Sequence, residues 1–190
     1  MDLVAAIWAC LIFAQFALLF ALIGFIIRFG ILIISRGFDV PFVRTPRSYF
    51  PKIAEALKIR PNDVVYDLGS GEGKFVLYCA KKYPEARFIG IERNFVLYLQ
   101  ALARKKFAGN PKNATFRREN FFTADMHDAT RVYAYLLPKA MEQLFSDTPH
   151  SGVRVASRAF HIKRHEPVET IELSQKKGWH NQHLLHVYEL

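Results

Sequence analysis

The sequence has 190 residues, of which 51% are hydrophobic, and its formal net charge is +9. Its two cysteines, Cys10 and Cys79, fall in an apolar N-terminal run and in a predicted helix, so we expect no disulfide and a reducing compartment. The charge suits an anionic lipid surface or a nucleic acid. Because no recognition helix and no aromatic RNA-binding motif is present, we expect a lipid surface and no nucleic-acid partner.

The N-terminal segment is the most apolar part of the sequence. Residues 3–27 contain no charged residue and one strongly polar side chain, Gln15. A helix of this length spans roughly 37 Å, enough to cross a hydrocarbon core of about 30 Å. A secretory signal needs a basic start, a shorter apolar core and a small-residue cleavage site, and this segment has none of them. We therefore predict a retained transmembrane helix.

The charges that flank this helix predict its orientation. Only Asp2 precedes it, whereas five basic residues follow it: Arg28, Arg36, Arg44, Arg47 and Lys52. Because positive charge stays inside, we expect a single-pass membrane protein with its N-terminus outside and its second domain in the cytoplasm, or in the matrix if it is mitochondrial. The predicted domains are an anchor with its juxtamembrane segment, residues 1–38, and a folded domain, residues 39–190.

Helix and strand patterns alternate along the second domain. Apolar residues at helical spacing follow Phe50, and Pro51 suits the first turn of a helix. We then predict strands at 64–68, 87–92, 114–118, 131–137 and 152–160, with helices from 74, at 95–107 and at 139–145. Two last strands, 168–173 and 183–189, would form a hairpin with Gly178 in the turn. This order predicts an α/β fold, a Rossmann-like, doubly wound, mostly parallel sheet with a C-terminal antiparallel hairpin.

The segment V-V-Y-D-L-G-S-G-E-G-K-F, residues 64–75, joins the first strand of the sheet to a helix. Its glycines, Gly69, Gly71 and Gly73, let the backbone approach a ligand, and the helix N-terminus supplies free N–H groups. The spacing G-x-G-x-G differs from the dinucleotide motif G-x-G-x-x-G, and a Walker loop is absent.

The run D-L-G-S-G-E-G resembles the first motif of class I S-adenosylmethionine-dependent methyltransferases. This resemblance implies S-adenosyl-L-methionine as the cofactor, held by Asp67 and by the loop residues Gly69, Ser70, Gly71 and Gly73. A second acid, Glu92, ends the next predicted strand, where a carboxylate can accept both ribose hydroxyls of a nucleoside.

Four segments resemble the membrane-anchored lysine methyltransferases of the adenine nucleotide translocase and ATP synthase c-subunit type, including their prokaryotic relatives. They are the anchor with P-F-V-R-T at 41–45, the glycine segment, E-N-F-F-T-A-D at 119–125 with V-Y-A-Y-L-L-P at 132–138, and G-V-R-V-A-S-R-A-F at 152–160. The last also resembles a strand of non-SET histone lysine methyltransferases. The resemblance implies a protein-lysine N-methyltransferase that acts on a membrane-associated protein.

The resemblance also adds candidate site residues. It implies that Thr45 closes over the cofactor and that Asn120 and Phe121 contribute to the cofactor site. Many relatives have Asp at the position of Asn120, and an amide can still hydrogen-bond an adenine edge.

Methyl transfer to lysine requires an unprotonated amine, aligned with the donor and shielded from water. Aromatic surroundings favour the neutral amine and then attract the methylated cation. Phe121, Phe122, Tyr133 and Tyr135 are the candidate pocket, with core packing as the alternative interpretation, and we assign catalytic roles to Tyr133, Tyr135 and Asn120.

Other polar residues are weaker candidates. Asp125 and Asp128 could serve as a base, but we favour a solvated loop as their explanation. The pair His180 and His183 has metal-ligand spacing without a cysteine or acidic partner, so we expect no metal. Two alternatives to a lysine methyltransferase stay open: a methyltransferase for a lipid or small lipophilic molecule, and a non-catalytic cofactor-binding scaffold.

Overall fold

The computed structural model describes residues 3–36, 43–145, 152–175 and 181–190. Contacts within the chain divide it into two compact units, Met1–Pro41 and Phe42–Leu190. The first unit consists of helix α1, Leu3–Arg36. Its segment Ile7–Gly30 has a mean hydropathy of 2.7, so by length and composition it is a candidate membrane span. A signal sequence near an N-terminus has the same properties.

The second unit is built on one seven-stranded sheet with the order β3-β2-β1-β4-β5-β7-β6. Its strands are β1 Val64–Leu68, β2 Arg87–Ile91, β3 Ala114–Arg117, β4 Arg131–Ala134, β5 Arg154–Arg158, β6 Glu169–Glu172 and β7 Leu184–Glu189. β1 to β5 pair in parallel, and β7 runs antiparallel to both of its neighbours, β5 and β6. The predicted doubly wound α/β fold with a C-terminal antiparallel hairpin is confirmed.

Among the described residues, four helices accompany this sheet: α2 Phe50–Ala56, α3 Lys74–Lys82, α4 Phe95–Phe107 and α5 Pro138–Phe145, with a 3₁₀ turn at Arg47–Tyr49. All five residues of β1 are buried. Such a continuously buried strand is typical of the centre of a parallel sheet, where both faces are covered.

Two hydrophobic cores lie on the two faces of the sheet, because successive strand side chains point to opposite sides. In the first core, Val65 and Tyr133 pack with residues of α2 and α3 and with Ala101 of α4. In the second core, Tyr66 and Val132 pack with the buried side chains of α5.

Two strands end two or three residues earlier than predicted. β4 stops at Ala134 instead of Leu137, because its neighbour β1 ends at Leu68, the residue paired with Ala134. Beyond Ala134, β1 offers β4 no further backbone partner. The chain therefore leaves the sheet and enters α5 at Pro138. β5 stops at Arg158, because Ala159 adopts φ +70°, which ends an extended strand. The predicted turn at Gly178 lies outside the described residues.

Candidate active site

The loop between β1 and α3 has a left-handed backbone at each glycine. Gly69, Gly71 and Gly73 have φ of +73°, +55° and +71°. The N–H groups of Gly69 and Ser70 donate to the Ile91 carbonyl at 2.9 and 3.0 Å, which ties the loop to the end of β2. A Cβ built on Gly73 would lie 2.4 Å from Cζ of Phe116, so the third glycine is needed for close packing as well as for its backbone angle.

Glu92 holds this loop from the neighbouring strand. Its carboxylate accepts the Gly71 N–H at 2.9 Å through Oε2 and the Asn94 N–H at 2.7 Å through Oε1. Burial raises the pKa of Glu92, and the backbone N–H groups around it act in the opposite direction. Each carboxylate oxygen has a second lone pair, so Glu92 can still accept two ligand hydroxyls, as the ribose interpretation requires.

Asp67 lies in β1 beneath the glycine loop and is 5% exposed. Burial raises the pKa of its carboxyl to about 8, and the charge of Glu92 adds to this rise. The group is therefore largely protonated near neutral pH. A cationic ligand group placed beside it would favour the ionised carboxylate, because an opposite charge lowers the pKa of an acid.

Thr45 connects the segment before α2 to the carboxyl ends of β4 and β5. Its hydroxyl is 3.0 Å from the hydroxyl of Tyr133 and accepts a hydrogen bond of 3.1 Å from Nη1 of Arg158. Tyr133 is the strand partner of Asp67, so this contact borders the glycine loop. Burial raises the pKa of Tyr133 despite the Thr45 hydrogen bond and the charge of Arg158, which makes a tyrosinate base unfavourable.

Arg158 organises an aromatic wall beside Tyr133. Its guanidinium lies 4.3 Å from the ring centroid of Tyr135 and 5.1 Å from that of Tyr49. Phe160 stacks on Tyr135 with ring centroids 6.5 Å apart and an interplanar angle of 17°. Arg158 is only 3% exposed, and its Nε donates to the Gln182 carbonyl at 2.9 Å. The wall is thus preorganised around a buried cation.

The four aromatic candidates for the lysine pocket fall into two groups. Tyr133 and Tyr135 belong to the first core, whereas Phe121 packs against the second core on the opposite face of the sheet. Phe122 contacts Phe121 and is 38% exposed. The four side chains therefore do not form one cluster, and their assignment to a lysine pocket stays a prediction.

Asn120 follows β3 and forms a turn with the residues after it. Its Oδ1 accepts the Phe122 N–H at 3.2 Å, and its carbonyl accepts the N–H groups of Thr123 and Ala124. The side-chain NH₂ is not used in this turn and can donate to a ligand. Its catalytic role stays a prediction.

The two acidic candidates for a base lie elsewhere. Asp128 accepts hydrogen bonds from Tyr66 at 2.8 Å and from Arg87 at 2.9 Å, and Arg87 is the first residue of β2. This contact is near the amino ends of the strands, away from the glycine loop. Asp125 is exposed and pairs with His127. Both residues therefore stabilise a surface loop.

The described residues contain no group of three His, Cys, Asp or Glu side chains placed to hold a metal ion. His183 is buried beside β7, and His180 lies outside the described residues. His186 stacks on His161 with ring centroids 3.7 Å apart.

Three features of this region were missed from the sequence. Arg158 was assigned no role, because a basic residue in a strand gives no signal of its aromatic partners. Asn94 caps α4, accepting the N–H groups of Val96 and Leu97, and its position before an apolar helix could have indicated this cap. Glu72, 3% exposed, forms ion pairs with Arg44, Lys74 and Arg104.

Glu72 links the glycine loop to three other parts of the domain. Arg44 and Lys74 lie 2.7 and 2.8 Å from its carboxylate, and Arg104 reaches it from α4. Burial opposes its ionisation, but the hydrogen bond from Lys74 and the three positive charges outweigh burial and lower the pKa of Glu72. The carboxylate is therefore charged and stabilises the loop that it belongs to.

The glycine loop and Glu92 present hydrogen-bonding groups that suit an adenosyl cofactor. The Oγ atom of Ser70 is buried and has no hydrogen-bond partner among the described residues. This hydroxyl can hydrogen-bond a ligand, and the remaining lone pairs of the Glu92 carboxylate can accept ligand hydroxyls.

The family model of the ANTKMT methyltransferase domain matches residues 67–169, which begin at Asp67 and include the whole glycine loop. The chain belongs to this family. The ANTKMT-family chain is 32% identical over 148 residues to a protein-lysine N-methyltransferase of Saccharolobus islandicus, covering 76% of this chain and 92% of the relative. It is also 28% identical over 94 residues to the ATP synthase c-subunit lysine N-methyltransferase of Caenorhabditis elegans, about half of either chain.

A solved structure agrees with this assignment. An RNA methyltransferase from Salinibacter ruber in complex with S-adenosyl-L-homocysteine superposes with a TM-score of 0.68 at 31% identity, covering 77% of this chain and 92% of that one. This ANTKMT-family protein is an S-adenosylmethionine-dependent methyltransferase, and the predicted class, enzyme activity and cofactor are confirmed.

Proposed function

We propose that this methyltransferase is a membrane-anchored protein-lysine N-methyltransferase that modifies a membrane-associated protein. The observation that carries the proposal is its 32% identity to a protein-lysine N-methyltransferase along 92% of that relative. The Caenorhabditis elegans relative, whose name gives a component of ATP synthase as the target, supports an acceptor at the membrane.

Helix α1 is the proposed anchor. Ile7–Gly30 is long enough to cross a bilayer, and basic residues follow it, so the domain of residues 39–190 would face the cytoplasm or the matrix. Only residues 37–42 separate α1 from Val43, a span of at most about 25 Å. Tethering would hold the enzyme close to membrane proteins at a high effective concentration.

The cofactor would lie on the glycine loop. The bound cofactor supplies the methyl group, and the part of the cofactor that leaves is neutral. Glu92 would accept the ribose hydroxyls, and Asp67 would face the methionine amine. Thr45 and Asn120 would border the cofactor from the two adjoining segments. The hydrogen-bonding groups that these residues present support these roles.

The acceptor amine would approach past Tyr133 and along the aromatic wall beside it, which contains Tyr135 and Phe160. A lysine has an ordinary pKa of about 10.4, so it must lose its proton before it attacks the methyl group. Burial among aromatic rings favours the neutral amine, and the neighbouring charge of Arg158 acts in the same direction. We assign Tyr133 and Tyr135 the tasks of orienting this amine and of excluding water.

Incubation of the full-length protein with its own membranes and methyl-tritiated S-adenosylmethionine tests the proposal. We expect label in a protein band and methylated lysine in its acid hydrolysate. Label in the organic extract would instead indicate a lipid acceptor, and label in RNA would indicate the activity named for the Salinibacter ruber structure. Cofactor binding without any transfer would indicate a scaffold.

Two variants make this assay specific. Tyr135→Ala should lower transfer to protein while cofactor binding is retained, because Tyr135 lies on the wall and not on the glycine loop. Leu137→Ala, also in the segment after β4 and 37% exposed, is the matched control and should transfer label as the parent protein does.

A further inference from the structure

Helix α4 carries an exposed apolar stripe. Phe95, Leu99 and Leu102 are 46%, 45% and 37% exposed, and their spacing places them on one side of the helix. The opposite side packs into the first core through Ala101, which is fully buried. Phe107, the last residue of α4, is 89% exposed. We call this surface the α4 face.

The α4 face is surrounded by positive charge. Residues 93–118 contain no Asp or Glu, and their basic residues are Arg93, Arg104, Lys105, Lys106, Lys112, Arg117 and Arg118. Arg104 and Arg117 pair with Glu72 and Glu119. Arg118 lies over the Phe95 ring at 4.9 Å, and Arg93, Lys106 and Lys112 are exposed.

We propose that the α4 face binds an anionic bilayer surface. A helix with exposed Phe and Leu on one side and flanking cations buries its apolar side at the boundary of headgroups and acyl chains. The cations would then contact lipid phosphates. A second copy of the chain would meet the same positive charge, which opposes self-association, and aliphatic Leu side chains offer a nucleic acid no base-stacking platform.

This proposal rests on the proposed membrane anchoring and adds an orientation to it. A tether of at most about 25 Å keeps the domain near the surface if α1 crosses the bilayer. The first residues of α4 are next to the glycine loop, because the Glu92 carboxylate accepts the N–H of the cap residue Asn94 and also the N–H of Gly71 in that loop. Docking through the α4 face therefore places the glycine loop near the membrane, within reach of a lysine at its surface.

An environment-sensitive fluorophore on α4 tests the docking. Leu99→Cys is labelled with a nitrobenzoxadiazole dye in the full-length protein carrying Cys10→Ala, and the remaining native thiol of Cys79 is fully buried. The protein is reconstituted into vesicles of phosphatidylcholine with or without phosphatidylglycerol. Lys139→Cys on α5, which packs on the opposite face of the sheet, is the control position.

With phosphatidylglycerol present, we expect a blue-shifted emission at position 99 and several-fold stronger quenching by doxyl-labelled lipid than at position 139. Equal emission and quenching at the two positions would overturn the proposal. A shift at position 99 that needs added RNA, or one that grows with protein concentration in detergent, would also overturn it and would assign the face to RNA or to a second copy.

Charge reversal separates specific docking from net charge. Lys106→Glu with Lys112→Glu should abolish the response of position 99 to phosphatidylglycerol. Lys81→Glu with Lys82→Glu on α3 changes the net charge by the same amount. This pair should leave the response of position 99 to phosphatidylglycerol intact. Methyl transfer is scored separately: methylated lysine without a lipid response removes this inference alone, and a lipid response with labelled lipid removes the proposed function alone.

Discussion

The hydroxyl of Thr45 lies 3.0 Å from the hydroxyl of Tyr133, although 88 positions separate them in the sequence. Arg158 donates to the same Thr45 oxygen, so one small side chain joins the segment before α2 to β4 and β5. A threonine hydroxyl can donate one hydrogen bond and accept two, which suits both contacts. These polar contacts hold the segment beside the glycine loop, because Tyr133 is the strand partner of Asp67.

Thr45→Val should lower the free energy of unfolding by about 1–3 kcal/mol, because the buried Tyr133 hydroxyl and Arg158 both lose a partner. Tyr133→Phe should cost less in the Thr45→Val background than in the parent protein. A double-mutant cycle measured by chemical denaturation should give a coupling of roughly 0.5–3 kcal/mol.

Thr45→Ser is the matched control, since it keeps the hydroxyl and should show most of the parent stability. Additive costs of Thr45→Val and Tyr133→Phe would mean that the two hydroxyls do not interact.

Gly73→Ala should destabilise the domain through a steric clash. The added Cβ would lie 2.4 Å from Cζ of Phe116 and 3.0 Å from Cβ of Ala101, in addition to the strain of φ +71°. Overpacking of this kind costs about 1–3 kcal/mol, and the left-handed angle costs another ~1 kcal/mol. Thermal unfolding of the full-length protein measures the sum.

Gly109→Ala isolates the backbone contribution, because Gly109 has φ +83° and nothing lies within 4 Å of an added Cβ. Adding Phe116→Leu to Gly73→Ala should recover part of the loss. If Gly73→Ala and Gly109→Ala cost the same, the clash with Phe116 does not contribute.

The sequence predicted most of the fold because its local signals agree with its packing. The range predicted for α4, 95–107, matches the structure, since an apolar helical pattern ends before the breaker Gly109. β1 and the glycine loop are equally well defined by a short apolar run and three glycines. The two strands of the C-terminal hairpin were also predicted. Each end of β6 and β7 lies within one residue of its predicted position.

Contacts between distant segments could not be predicted in this way. The early end of β4 depends on where β1 stops, and the separation of Phe121 from Tyr133 depends on the path of the chain after β3. The pairing of Thr45 with Arg158 joins positions 113 apart. Such features depend on tertiary geometry, which hydrophobic periodicity does not contain.

Stability should depend on pH through Asp67. Unfolded aspartate titrates near about 3.9, whereas the folded-state pKa of Asp67 is about 8, raised by burial and by Glu92. The folded state thus retains a proton that the unfolded state has lost. The free energy of unfolding should fall by roughly 1–2 kcal/mol as the pH rises from about 6.5 to 8.

His186 acts in the opposite direction at lower pH. Burial, and then the charge of His161, lowers the pKa of His186 to about 4, so its contribution to stability is gained between about pH 4 and 6.5 and offsets Asp67 there. Urea denaturation across this range should show the decline only above about pH 6.5. Asp67→Asn should remove this decline in the free energy of unfolding. Asp125→Asn, a control at an exposed position, should retain it. An unchanged decline in Asp67→Asn would refute the assignment.

The most direct test of the whole account is the affinity of the full-length protein for S-adenosyl-L-homocysteine, measured by calorimetry. Glu92→Gln replaces one carboxylate oxygen with an NH₂ group, which cannot accept a ribose hydroxyl or the N–H of Gly71 or Asn94. Loss of a hydrogen bond to a charged group costs about 1.5–3 kcal/mol, so the dissociation constant should rise about 10- to 100-fold.

Glu142→Gln, which alters a surface ion pair with Lys163, is the control and should bind as the parent protein does. We predict saturable binding by the parent and by Glu142→Gln, with the weaker binding confined to Glu92→Gln. No heat of binding with the parent protein, or equal affinities for all three proteins, would contradict the assignment of the glycine loop and Glu92 as the cofactor site.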